Sequence, residues 1–113
     1  MTTLMEAQIR TELRTLREQR PAQYGLLDSH LSDVRDGIEA CRRNYPSTTQ
    51  IAAELDDPAI TTQMLGNVLS LLARIGVIGI YSDRNNGNRY DLTEYDPIKM
   101  QYLSRLLGSD LTA

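Results

Sequence analysis

Gln63 and Asn67 stand four residues apart, with Thr62, Gly66 and Ser70 beside them. On a helix, positions i and i+4 share one face. A carboxamide carries a donor and an acceptor side by side, the pattern that pairs with N6 and N7 of adenine in a major groove. The hydroxyls of Thr62 and Ser70 can reach a base or a phosphate. Gly66 would let a backbone or a groove wall come close, at a cost of up to about 1 kcal/mol in helix propensity relative to alanine. Further along, Arg74, Arg84 and Arg89 offer guanidinium forks, which suit phosphates because two parallel N–H groups meet two oxygens. Asn86 and Asn88 lie between the last two.

Other chemistry finds few residues to work with. His30 is the only histidine and Cys41 the only cysteine. No HExxH, paired CxxC or glycine-rich phosphate loop occurs, and a Ser/His/Asp triad would need His30, which lies in a helical context without an elbow motif. No catalytic residue, metal site or cofactor is expected. Cys41 closes an apolar stripe and reads as a buried structural thiol; His30 reads as surface packing.

The stretch STTQIAAELDDPAITTQMLGNVLSLLARIGVIGIYSDRNNGNRYDL, from Ser47 to Leu92, must position the amides and arginines. Ser47-Thr48-Thr49-Gln50 has capping-box spacing and opens a short helix over 48–55. Residues 56–59, Asp-Asp-Pro-Ala, form a turn. Thr61 or Thr62 caps a helix over 62–75 whose inward side is Leu65, Leu69 and Leu72, flanked by Val68 and Ile75, and which Gly76 ends in the left-handed conformation. Residues 77–81 and 89–92 are strand-like, and the loop over 82–88 holds Asn86-Gly87, a pair suited to a hairpin turn. This order resembles the winged helix-turn-helix transcription regulators of bacteria and archaea, on the run Leu65, Leu69, Leu72, Gly76-Val77-Ile78 and the basic-flanked hairpin after it.

The resemblance implies a mainly α chain with a small β-hairpin, a winged helix-turn-helix with extra helices at both ends. One domain over 1–113 is expected, with an N-terminal helix at 3–20, a core at 25–92 and a C-terminal helix at 97–107. Pro21 ends the first helix in this reading, and the second runs over 25–43 on Leu27, Leu31, Val34, Ile38 and Cys41. Asp96-Pro97 starts the last helix, lined by Ile98, Tyr102, Leu103, Leu106 and Leu107. The resemblance further implies a helix 62–75 that reads double-stranded DNA through Thr62, Gln63, Gly66, Asn67 and Ser70. Backbone and wing contacts fall to Thr48, Thr49, Arg74, Arg84, Asn86, Asn88 and Arg89. The stripes Met5, Ile9, Leu13, Leu16 and Leu103, Leu106, Leu107 have no obvious partner in a minimal winged helix, so they are assigned to a homodimer interface.

Charge pulls partly the other way. The chain carries a net charge of −3. Residues 1–45 hold seven arginines against seven acids, whereas residues 46–113 hold five bases against eight acids, so the acidic excess lies in the half expected to meet DNA. Eleven of the twelve bases are arginine, the better phosphate ligand. The acidic, lysine-poor balance also resembles proteins of salt-loving archaea. The expected function is a sequence-specific DNA-binding transcriptional regulator. The alternatives are a protein–protein interaction module, which the acidity favours, and a DNA-binding protein of replication or genome maintenance. No apolar run reaches spanning length and the N-terminus lacks a signal-peptide pattern, so a cytoplasmic location without a membrane is expected. No small-molecule effector is implied.

Overall fold

The computed structural model describes residues 3–56, 59–84 and 87–107. Their elements are α1 (Leu4–Gln19), α2 (Pro21–Ala40), α3 (Thr48–Ala52), α4 (Thr62–Ile75), β1 (Gly79–Arg84), β2 (Gly87–Asp91), a 3₁₀ turn (Leu92–Glu94) and α5 (Pro97–Leu107). The molecule is therefore mainly helical, with one two-stranded antiparallel hairpin.

Local chemistry sets most of the boundaries. The Thr3 hydroxyl accepts the Glu6 amide and opens α1. Pro21 does not simply end that helix, as expected, but occupies the first turn of α2, four residues before the expected start. Its fixed φ suits a helix start, and its missing N–H is one that no helix would use there. Arg20, at φ −141° and ψ 68°, makes the corner. The second helix also ends early, at Ala40 rather than Arg43. From Cys41 the chain is extended, and it then lies along β2: the Tyr90 amide donates to the Pro46 carbonyl, the Leu92 amide to the Asn44 carbonyl, and Ser47 bridges Arg89. Proline fits an edge of this kind, because it has no N–H to offer yet accepts through its carbonyl. Cys41 is half-buried against the core.

Ser47 and Gln50 form the expected capping box, with the Gln50 amide 3.3 Å from Ser47 Oγ and the Ser47 amide 3.0 Å from Gln50 Oε1. The helix they open is three residues shorter than expected. Beyond Ala52 the Glu54 and Leu55 amides donate to carbonyls only three residues back, the tighter pattern of a helix running out. The turn expected over 56–59 has Asp57 and Pro58 outside the described residues.

α4 has the expected bounds. The Met64 amide donates to the Thr61 hydroxyl, and Gly76, at φ 95°, closes the other end while the Val77 amide reaches back to the Leu72 carbonyl. Its Leu65, Val68, Leu69, Leu71 and Leu72 are all buried. The strands extend further into the expected loop than the sequence indicated: pairing runs from Gly79 opposite Asp91 to Arg84 opposite Gly87, with an irregularity between Ile80 and Ser82. Gly87 is thus a paired strand residue, and Asn86 lies outside the described residues. Asp96 caps α5 through the Ile98 and Lys99 amides. Met100 takes the core place expected for Ile98, which is 58% exposed, and Tyr102 is half-buried.

The core gathers around α2, which touches α1, α3, α4 and α5. The terminal helices pack on it and on each other. Ile9, Leu13, Leu103, Leu106 and Leu107 are buried within the chain, and Met5 and Leu16 pack half-buried against the same core. That placement removes the exposed apolar stripes on which the expected subunit contact rested. Each such side chain contributes about 1.5–3 kcal/mol once buried, and here the chain itself supplies the cover. An ion pair between Arg105 and Glu6, 3.0 Å apart, sits over the α1–α5 seam. No helix among the described residues is long and apolar enough to cross a membrane.

Candidate functional site

The outer face of α4 follows from its inner one. With the leucine wall facing α2 and α3, the residues opposite must face water. Thr62, Gln63, Asn67, Ser70 and Arg74 are all exposed. Gln63, Asn67, Ser70 and Arg74 follow spacings of four, three and four, so they form one stripe along the helix. From Thr61 to Ala73 the sequence holds no charged residue, and Arg74 is the first cation. The stripe therefore offers amides and hydroxyls along most of its length, with a positive charge only at the C-terminal end.

Gly66 sits off this stripe. It is half-buried, and a Cβ added there would lie 3.8 Å from Thr48 Cγ2, an ordinary contact. It faces the seam between α3 and α4, where Thr48 lies, and that seam has room for a methyl group. Thr49 is exposed beside it. Arg74 lines a small cleft of about 50 Å³ between α1 and α4, together with Leu16, Arg20 and Leu71.

The hairpin is divided. Backbone pairing sets Arg84 at its far end and Asn88 one pair closer to the root, opposite Asp83; the side chains of both lie outside the described residues. Arg89 is exposed and lies further down, opposite Ser82, where its Nη1 donates to the Tyr45 carbonyl at 3.2 Å. One of its donors is thereby used, and the guanidinium is held over the root of the hairpin.

Sequence reasoning missed what stands there. Tyr45 and Tyr81 stack with ring centroids 4.1 Å apart and planes inclined at 29°. Both are exposed, at 40% and 59%, and Ile80 beside them is 51% exposed. The only hint in the sequence is that Tyr81 ends an apolar run. The contact itself depends on segment 44–47 lying along β2. On the other side of that segment, Ile38, Cys41, Arg43, Leu92 and Tyr95 line a cleft of about 300 Å³. Tyr95 Oη donates to Glu39 Oε2 at 2.7 Å, fastening α2 to the chain ahead of α5. Burial first, and then this bond and the nearby Glu39 charge, push the Tyr95 hydroxyl well above the usual tyrosine range. Among the described residues no three His, Cys, Asp or Glu side chains come together as a metal site would need.

No family model matches the chain, and neither a curated protein nor a solved structure matches it.

Proposed function

We propose that α2, α3, α4 and the hairpin form a winged helix-turn-helix, and that the chain is a regulator that binds double-stranded DNA with α4 in the major groove. The observation that carries this reading is the α4 stripe: Gln63, Asn67, Ser70 and Arg74 exposed on one side of a helix whose other side is a leucine wall. A helix fits the major groove, and amides there discriminate bases by paired hydrogen bonds. Backbone pairing of 44–47 with β2 supports the winged arrangement, because two amide-to-carbonyl bonds and one bridge tie the segment between α2 and α3 to the hairpin. Arg74 is suited to a phosphate, and Arg89 keeps guanidinium donors beyond the one at Tyr45 for the same use.

A second reading, a protein-interaction module, is favoured by one observation: Tyr45, Ile80 and Tyr81 leave apolar surface open at the hairpin. Selection of bound duplexes from a randomised pool by the full chain separates the two. The DNA reading predicts enrichment of a discrete motif over successive rounds. A pool that stays random while the chain is folded contradicts it.

A further inference from the structure

The tyrosine pair at the hairpin root is an unusual place for aromatic surface. Six tyrosines and no tryptophan or phenylalanine make up the aromatic complement. Tyr90 is buried, Tyr24, Tyr95 and Tyr102 are half-buried, and Tyr45 and Tyr81 are the two left exposed. These two are stacked on each other, and Tyr81 is the more open of the pair, at 59% exposed against 40%. The core does not require them there. A cation stands at the pair: Arg89 is held at the Tyr45 carbonyl, while Arg42 and Arg43, exposed and just ahead in the chain, line the cleft of Ile38 and Tyr95. None of the three has a carboxylate partner among the described residues. Two carboxylates of adjoining elements are engaged elsewhere: Asp91 accepts the Thr93 amide, and Glu39 accepts the Tyr95 hydroxyl.

We infer that the Tyr45–Tyr81 stack with Arg89 is a platform for an unpaired nucleobase and its phosphate, so that the hairpin root binds single-stranded nucleic acid. Every base has a π-face, and an aromatic platform beside a guanidinium group takes base and phosphate together with little regard to sequence. The Arg89 charge also argues against a symmetric contact with a second copy of this chain, which would bring like charge against like charge. The platform does not use the α4 stripe, and it goes beyond duplex reading by adding a second class of nucleic acid.

The test is fluorescence anisotropy of a labelled short oligothymidylate titrated with the full chain at low salt. The wild-type chain binds, and binding weakens steeply as salt rises. Tyr81→Ala raises the dissociation constant roughly fivefold or more, whereas Tyr81→Phe, which keeps the ring, stays within about twofold of wild type. Asn67→Ala leaves oligothymidylate binding unchanged, so failure of the α4 reading and failure of this one give different results. Circular dichroism of Tyr81→Ala, showing the wild-type helical signal, ties any loss to the surface. No binding by the folded wild-type chain at low salt overturns the inference. So does equal affinity in Tyr81→Ala, or a sedimentation experiment in which wild type self-associates and Tyr81→Ala does not.

Discussion

The outer face of α4 and the root of the hairpin are both exposed, yet they are built from opposite materials. The α4 stripe is uncharged until Arg74 and stands on a rigid helix backed by buried leucines. The hairpin root is aromatic and cationic, and it stands on two strands and a bridging segment. A neutral stripe gives little long-range attraction but can discriminate by hydrogen-bond pattern; an arginine-flanked aromatic patch attracts polyanions and is tolerant of sequence. The contrast also eases the problem posed by the acidic net charge. Attraction need not come from α4 if Arg89 at the hairpin supplies it.

The largest effect should separate scaffold from surface. Leu69 is fully buried on the inner face of α4, so Leu69→Ala should cost about 2–5 kcal/mol in urea unfolding. Tyr81→Ala should cost less than about 1.5 kcal/mol, the worth of an exposed aromatic pair. Similar losses from both would mean that the hairpin root is part of the core, and the comparison would collapse.

Gly66 tests where the packed side of α4 gives way to its open side. The added methyl meets Thr48 only at ordinary contact distance, so Gly66→Ala should stabilise the chain by up to about 1 kcal/mol through helix propensity. A thermal melt reads this. A lower midpoint would show that the α3–α4 seam is tighter than its geometry indicates.

Tyr95 gives the smallest effect, and its sign follows from linkage. Its folded pKa is raised above the usual value of 10.0, so in the folded state the hydroxyl keeps its proton to higher pH. The stabilisation is complete below the unfolded value and is lost as pH rises above it. Stability of the wild-type chain should therefore fall from about pH 10 upward more steeply than that of Tyr95→Phe, which has no hydroxyl to ionise. Parallel declines in the two proteins would show that the folded chain does not hold the Tyr95 proton to higher pH.

α4 could be read from the sequence because its signals are local and agree. Thr61 caps it, the leucines recur at helical spacing, and Gly76 provides the left-handed stop. The capping box at Ser47 is local in the same sense. Elsewhere one residue admitted two readings. Pro21 suits both the stop of one helix and the start of the next, and only the packing of α2 decides. Ile98 and Met100 compete for one core position, and the phase of α5 against α1 and α2 favours Met100. The terminal stripes looked unpartnered because a minimal fold was taken as the reference, whereas α1 and α5 cover each other. The tyrosine stack was invisible for a different reason. Its two rings are far apart in sequence and meet only after β1, β2 and residues 44–47 are aligned.

The central claim is that the α4 stripe discriminates between sequences, and Asn67 is its most direct test. Asn67 is exposed, so its replacement should leave folding within about 0.5 kcal/mol of wild type. Duplex affinity of Asn67→Ala should be measured on the selected motif and on a scrambled duplex at one salt concentration. The account predicts a loss of about 1–3 kcal/mol on the motif, with little change on the scrambled duplex. Equal losses on both, or no loss on either, would contradict it.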